Sequence, residues 1–252
     1  MSGRIINLDR EPKYINAGLK VGWAKHHLRA LDKEIGEYLG DQPYLITTQD
    51  DLEAGEYVVS LGAKPITSAM GLIVGDVVSC LRGSLDHLAY ALTLVTGGTP
   101  NDRANFPVIG VDNSSGRKSF NLAVNGITED AIPIIKSLQP YNRGDAYKST
   151  KLWQLHRLWN IDKHRRIPFH AQVTKTQIGC PADMLPFVGR SDDGSVMRFP
   201  LAAKDQLQFN PTVDTTIYFG DDSEGISVTY ADLDDMYKFV RDDVMPRFKS
   251  FF

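Results

Sequence analysis

The most apolar stretch of the chain contains the sequence Gly75-Asp76-Val77-Val78-Ser79-Cys80-Leu81-Arg82-Gly83-Ser84-Leu85-Asp86-His87-Leu88. On an α-helix with about 100° per residue, its apolar side chains fall on one side and its polar side chains on the other. The polar side carries Asp76, Ser79, Arg82, Asp86, His87 and Tyr90. It lacks the Lys and Glu that are typical of a solvated helix surface. A buried polar network, a functional site and a plain surface therefore all stay open as interpretations.

The length of this stretch also raises the question of a membrane span. Asp76, Arg82, Asp86 and His87 would each be costly in the middle of a bilayer. We therefore expect a buried amphipathic helix at about 68–95 and no association with a membrane.

Composition narrows the class of protein further. The chain has 252 residues, 42% of them apolar, and a net charge of −3, so any nucleic-acid site has to be a local patch. Cys80 and Cys180 lie far apart, which argues against a disulfide framework and for a reducing compartment. The first ten residues lack the apolar segment of a signal peptide. We expect a cytoplasmic protein.

Outward from the central stretch, periodicity predicts further helices and strands. Apolar residues recur at alternating steps of four and three over 13–39, which predicts a helix. Short strands are predicted at 44–48 and 56–61, and a third main helix at about 146–165. Residues 96–147 are interpreted as a long connection with one short helix at 128–138.

After Pro168 the hydrophobic period changes to two. Strands are expected at 169–174, 215–219 and 225–228, with a hairpin that joins 187–188 to 196–199 around Asp193-Gly194. A last helix, at about 230–246, begins after Thr229 with Asp232 as its capping partner. The pattern predicts one α+β domain over 1–252: a helical part at about 13–166, a β-rich part at about 167–228 and the C-terminal helix. Its architecture is a bundle of three to four long helices packed with a small antiparallel sheet.

The helix at 146–165 repeats the polar theme of the central helix. Trp153, Arg157, Asn160 and His164 share one face, and Lys163 and Arg165 belong to a compact basic cluster at its end. Because both helices have apolar backs, the two polar stripes are expected to converge. The candidate catalytic residues are Arg82, Asp86, His87, Arg157, Asn160 and His164. The candidate substrate-binding residues are Trp153, Lys163 and Arg165.

These residue types suit cleavage of a phosphodiester without a metal or other cofactor. An imidazole can accept or donate a proton near neutral pH, and a guanidinium can hold a phosphate oxygen and stabilise developing charge. The attacking group would be the 2′-hydroxyl of RNA. RNA is therefore the expected partner.

Two other functions stay open. His27, His87 and His164 come from three predicted helices and could hold a metal ion in a helical-bundle hydrolase, with Asp86 or Asp162 as a further ligand. Alternatively, Arg82, Asp86 and Asp162 could form a structural network that fixes the register of the helices in a non-enzymatic interaction protein.

Four motifs carry a resemblance to a known set of proteins. They are the Gly75–Leu88 segment, Phe106-Pro107, Leu138-Gln139-Pro140-Tyr141 and Asn160-Ile161-Asp162-Lys163-His164-Arg165. In this order they resemble the LRxxLDHL, FP, LQPY and NIDKHR pattern of an uncharacterised bacterial protein family. The resemblance covers about residues 70–170 and implies no particular activity.

The helices also distantly resemble HEPN domains. Many HEPN proteins are RNases of toxin and antiphage systems, with an Arg-x(4 to 6)-His motif at a dimer interface. Arg82 to His87 and Arg157 to His164 match that spacing, although Gly83 and Leu158 replace the polar residue that usually follows the arginine. The resemblance implies a metal-independent RNase that acts as a homodimer in bacterial defence or as a toxin.

Overall fold

The computed structural model of the protein describes residues 13–95, 97–100, 105–179, 188–192, 195–221, 223 and 225–252. Within them the chain is an α+β protein. The helices are α1 (Lys13–Gly40), α2 (Ser68–Val95), α3 (Ser114–Ala123), α4 (Ile132–Ser137), α5 (Lys151–His164) and α6 (Tyr230–Lys238). The strands are β1 (Tyr44–Asp51), β2 (Glu56–Ala63), β3 (Phe169–Gly179), β4 (Gly189–Arg190), β5 (Val196–Pro200), β6 (Gln208–Asp221) and β7 (Ile226–Val228).

Shorter turns of helix connect several of these elements. They are 3₁₀ turns at Glu129–Ala131, Pro140–Ser149, Leu201–Gln206 and Met245–Phe251, and a π-helical turn at Phe239–Val244. The last two extend α6, whose first turn has the expected capping box between Thr229 and Asp232. That prediction is confirmed.

Helix α2 lies at the centre of the main hydrophobic core. Val74, Leu81, Leu85 and Leu88 are completely buried, and burying each such side chain contributes about 1.5–3 kcal/mol. Helix α1 packs along α2 and α5 contacts another side of it. By length and composition α2 could cross a membrane, but 61% of its most apolar window is buried inside the protein. Packing in a core thus accounts for its apolar character.

Helices α2 and α5 run in opposite directions and approach each other closely at Gly75. A Cβ atom at Gly75 would collide with the carboxylate of Asp162, and one at Gly71 would collide with the ring of Phe169. Further along, Arg82 of α2 lies over the ring of Trp159 of α5. The absence of a side chain at Gly75 therefore allows the Asp162 face of α5 to approach α2, and Gly71 allows the start of β3 to approach the same helix.

These strands form two antiparallel sheets, whereas the sequence pattern predicted one. The first has the order β1-β2-β5-β4 and the second the order β3-β6-β7. The first sheet has a hydrophobic cluster of its own, made by Tyr57, Val59, Leu61, Met197 and Phe199. The second contributes buried residues to the main core. The single-sheet prediction was wrong because the pairing of β2 with β5 joins segments far apart in sequence, which no local pattern reports.

The predicted helices agree with the structure to different degrees. The prediction of α2 at 68–95 is confirmed, and α1 ends one residue later than expected. Helix α5 begins later than expected because Thr150 caps it, with its hydroxyl accepting from the Trp153 N–H at 3.4 Å. Helix α3 was missed inside the supposed connection, where Asn113 caps it. A bundle of three to four long helices is not confirmed: α1 and α2 have 28 residues each, and the next longest helix in the described ranges, α5, has 14.

Some predictions fall outside the described residues. They include the turn at Asp193-Gly194, Phe187 of the expected hairpin, and Cys180. On the described side of that hairpin, Gly189 pairs with Arg198 and Arg190 pairs with Met197. The assignment of 1–252 to one domain stays a prediction.

Candidate functional site

Arg82 is almost fully buried, with 2% of its surface exposed. Its Nη1 donates to Oδ1 of Asp86 at 2.6 Å and its Nη2 donates to the carbonyl oxygen of Phe106 at 2.7 Å. The N–H of Phe106 donates to the same Asp86 oxygen at 3.0 Å. Side chains of α2 thus satisfy both backbone groups of Phe106. This arrangement ties the loop before α3 to the central helix.

Gln139 extends this arrangement along the same loop. Its Oε1 accepts from the N–H of Ile109 at 2.9 Å, and its Nε2 donates to the carbonyl oxygens of Pro107 and Ile135 at 3.0 and 3.1 Å. Gln139 is 2% exposed, so these bonds satisfy polar groups that water cannot reach. We call Arg82, Asp86, Phe106 and Gln139 with the backbone groups they bind the buried network. The Phe-Pro and Leu-Gln-Pro-Tyr motifs meet in it.

Burial shifts the pKa values of the two charged members of the network in opposite directions. It raises the pKa of the Asp86 carboxyl, which the neighbouring Arg82 charge and the Phe106 N–H partly offset. It lowers the pKa of Arg82, and the Asp86 charge opposes that change. Asp86 keeps 30% of its side chain exposed, whereas Arg82 keeps 3%. The carboxylate therefore sits at the boundary between the buried network and solvent.

His156 of α5 lies near Arg82 of the network. Its Nε2 lies 3.1 Å from Nδ2 of Asn160, an amide nitrogen that can only donate, so Nε2 accepts and the proton resides on Nδ1. That Nδ1 is buried and has no hydrogen-bond partner among the described residues. Burial, reinforced by the charges of Arg82, Lys163 and Arg157, lowers the pKa of His156 to about 4. The imidazole is thus neutral at pH 7.

The other side of Asp86 faces an open groove between α1 and α2. A cleft of about 480 Å³ is lined by Asp86, His87, Ser79, Gly83, Tyr90, Trp159, Asn16 and Lys20. A second depression, of about 680 Å³, shares Asn16, Lys20 and His87 and continues to Leu19 and Trp23. We call the two together the α1–α2 groove. His87 lies where they join, next to Asp86, and exposed aromatic rings of Trp23 and Tyr90 stand on either side.

The predicted polar face of α5, made of Trp153, Arg157, Asn160 and His164, does not pack against α2. The side of α5 that contacts α2 carries Trp159 and Asp162. Arg157 and His164 project roughly 140–160° away from Trp159 around the helix. His164 and Arg165 are exposed, and Trp153 packs edge-on against Tyr147 at 5.9 Å. The expected convergence of the two stripes therefore fails at Arg157, His164 and Trp153.

Lys163 and Asn160 do lie close to the buried network. The Lys163 ammonium sits 3.6 Å from the centre of the Trp159 ring, while Arg82 occupies a position 5.1 Å from that ring. Asn160 binds His156. Both side chains are thus engaged with aromatic groups of their own helix. The signal that could have identified Trp159 and His156 is a spacing of four residues, from Trp159 to Lys163 and from His156 to Asn160.

The three histidines of the metal-binding hypothesis do not form a cluster. Nδ1 of His27 lies 3.9 Å from Oδ2 of Asp76, and its ring contacts those of Trp23 and His26. Among the described residues, no group of three or more His, Cys, Asp or Glu side chains is arranged to hold a metal ion. His27, His87 and His164 all belong to that part of the chain. The geometry therefore gives the metal hypothesis no support.

Comparison of the chain with protein-family models, curated proteins and solved structures found no significant match. The family resemblances therefore rest on the motifs alone. The structure gives a physical reason for three of these motifs to occur together, because the Arg82–Asp86, Phe106-Pro107 and Gln139 segments meet in the buried network. A functional assignment has to come from the groove beside it.

Proposed function

We propose that the protein is a metal-independent RNase that binds single-stranded RNA in the α1–α2 groove. One observation carries this proposal: the groove places the imidazole of His87, the carboxyl of Asp86 and the ammonium of Lys20 around one cleft. Proton transfer and charge stabilisation at a phosphodiester require these three kinds of group. The exposed aromatic rings at the two ends of the groove are suited to stacking on unpaired bases.

The proposed reaction is an internal transfer within RNA. The 2′-hydroxyl oxygen attacks the adjacent phosphorus and loses its proton to the Asp86 carboxylate. The bond from phosphorus to the 5′ oxygen breaks, and that oxygen takes a proton from His87. The products are a 2′,3′-cyclic phosphate and a 5′-hydroxyl, so no water, metal or oxidant is consumed. Lys20 stabilises the negative charge that develops on the phosphate oxygens.

Asp86 is suited to the role of proton acceptor by its surroundings. Burial raises the pKa of its carboxyl, which makes the carboxylate a stronger base. Both hydrogen bonds from Arg82 and Phe106 go to Oδ1. Oδ2 has no hydrogen bond among the described residues, so this oxygen is available to a substrate in the groove. Arg82 is thus a positioning residue that acts through Asp86.

The HEPN resemblance supplies the biological setting of this proposal. The Arg82-x4-His87 pair matches the spacing of the HEPN motif. By the same resemblance the protein acts as a homodimer, in a bacterial defence or toxin context and in the cytoplasm. Arg157 and His164 lie on another face of α5 and have no role in the proposed reaction.

The test uses the purified full chain with a labelled single-stranded RNA in the presence of EDTA. We expect cleavage that leaves a 2′,3′-cyclic phosphate, and no cleavage of an RNA with 2′-deoxyribose at the cleaved position. His87→Ala should lower the rate by about 100-fold or more, because a positioned acid–base group contributes at least that much. The matched control, His164→Ala, should retain the wild-type rate. Equal rates for wild type and His87→Ala would refute the proposal.

A non-enzymatic interaction protein is the second candidate. Ile15, Leu19 and Trp23 recur every four residues on α1 and are 42%, 62% and 59% exposed. Such an apolar stripe is typical of a helix that contacts another molecule. This candidate gains support if the wild-type chain leaves RNA intact but associates with another molecule. Trp23→Ser should then abolish that association, and His87→Ala should preserve it.

A further inference from the structure

A second cavity lies where α5 begins, away from the α1–α2 groove. Its volume is about 540 Å³, and it lies between the 3₁₀ turns at Pro140–Ser149, the end of α4 and the C-terminal helical segment. It shares no lining residue with the groove. Its size falls within the range of sites for small molecules, about 300–1,000 Å³.

Three cationic side chains line this cavity: Arg143, Lys151 and Arg247. Lys151 is compensated by Asp232 at 3.3 Å and Asp235 at 3.6 Å. Arg247 binds neutral acceptors, since its Nε donates to the carbonyl oxygen of Asp243 at 2.9 Å and its Nη1 lies 3.5 Å from Oγ of Ser137.

Arg143 has no carboxylate partner among the residues that the structure describes. None of the described residues that line the cavity is Asp or Glu. Within the described part of the chain, two guanidinium charges therefore border this cavity without a compensating anion. Arg143 and Arg247 are both exposed, so a ligand that enters from solvent can reach their charges.

The remaining wall of the cavity is held in place by hydrogen bonds within the chain. Asn142 donates from Nδ2 to the carbonyl oxygens of Lys136 and Ser137 at 2.8 and 3.2 Å. The hydroxyl of Thr150 donates to the carbonyl oxygen of Tyr147 at 2.7 Å. Leu152 and Phe239 provide apolar surface beside these polar groups. The cavity thus combines a cationic rim with a partly apolar wall.

We propose that this cavity binds a small organic phosphate monoester. The phosphate of such a molecule carries a charge of about −1.5 to −2 at pH 7, which matches two uncompensated guanidinium groups. Guanidinium binds phosphate oxygens through paired N–H groups, and the apolar wall accommodates the organic part. This inference does not depend on the proposed RNase activity.

The test measures binding of inorganic phosphate and ribose 5-phosphate to the full chain by isothermal titration calorimetry at constant ionic strength. Ribose, acetate and sulfate serve as comparison probes. Arg143→Ala/Arg247→Ala removes both uncompensated charges, and Arg29→Ala/Arg190→Ala removes two exposed arginines elsewhere. The melting temperature of each variant confirms that it is folded.

We expect saturable binding of both phosphates to wild type and to the Arg29/Arg190 variant. Binding by the Arg143/Arg247 variant should be weaker by about tenfold or more, since each charge-assisted bond contributes that much. Equal affinity in both double variants would overturn the proposal. Acetate or ribose binding as tightly as ribose 5-phosphate would overturn the assignment to a phosphate.

Discussion

The buried network and the α1–α2 groove are built from neighbouring residues of one helix, yet they differ in almost every physical respect. Arg82 and His87 are five residues apart in α2, which separates their side chains by about 140° around the helix axis. Arg82 is buried against the ring of Trp159 and binds Asp86 and Phe106, while His87 lies in an open cleft. Asp86 belongs to both regions. One motif can therefore combine residues required for folding with residues available for chemistry.

The largest expected effect on stability comes from breaking the ion pair of the buried network. Arg82→Met leaves the Asp86 carboxylate and the Phe106 carbonyl oxygen without their partner, and should lower the free energy of unfolding by about 3–5 kcal/mol. Urea denaturation measures this change. Arg241→Met is the matched control, because Arg241 pairs with Asp242 at the surface and should matter far less. Similar losses in the two variants would show that the network does not stabilise the fold.

Gln139→Leu breaks the other end of the network. The variant leaves the Ile109 N–H and the Pro107 carbonyl oxygen without their partner, at a cost of about 2–3 kcal/mol in the same measurement. Gln154→Leu is the control of equal size, because Oε1 of Gln154 is buried without a hydrogen-bond partner among the described residues. Its stability should change little or rise. A destabilisation of Gln154→Leu as large as that of Gln139→Leu would contradict the role of these bonds.

The buried histidine predicts a pH dependence of folding. The folded-state pKa of His156 is lowered to about 4 from an ordinary value of 6.5, so its neutral form is favoured in the folded protein. Its contribution to stability is present above pH 6.5 and is lost as the pH falls from 6.5 towards 4. Between pH 7.5 and 5 wild type should lose about 2 kcal/mol more than His156→Gln.

Urea denaturation at the two pH values measures the dependence on His156. His164→Gln is the control, because His164 is exposed on the same helix and should keep the wild-type dependence. An identical loss in wild type and His156→Gln would show that folding does not lower the pKa of His156.

The smallest effect on stability is expected in the groove. His87→Ala should change the free energy of unfolding by less than about 0.5 kcal/mol, because the imidazole is only partly buried and lies in an open cleft. RNA cleavage should nevertheless fall strongly. Arg82→Met, in contrast, should lower both properties. If His87→Ala destabilises the protein as much as Arg82→Met, His87 belongs to the structural region and the distinction between the two regions is lost.

Local patterns were sufficient to predict several parts of the molecule. The apolar stripe of α1, the bounds of α2 and the capping box at Thr229 all follow from the preferences of nearby residues. The polar face of α2 proved to be divided: Arg82 is buried and bound on two sides, whereas Asp76, Ser79 and Tyr90 are exposed. What the pattern left open was whether that polarity served structure or chemistry.

The other half of the candidate site could not be predicted in the same way. The stripe of Trp153, Arg157, Asn160 and His164 was expected to face α2, but the close approach at Gly75 turns Trp159 and Asp162 towards it. Lys20 and Asn16 of α1 were not considered at all, although they line the cleft beside His87. Their contribution depends on the packing of α1 against α2, which the stripe on each helix does not specify.

The amino-acid sequence by itself determined the α+β class, the central apolar helix and the residues that carry its polar groups, because hydrophobic period and capping act over one or two turns. Tertiary structure alone decided that Arg82 faces inward to Phe106 while His87 faces α1. It also decided that β2 pairs with β5 in a separate sheet. These outcomes depend on contacts between distant segments, whose energies are set by fit and burial in three dimensions and have no local period in the sequence.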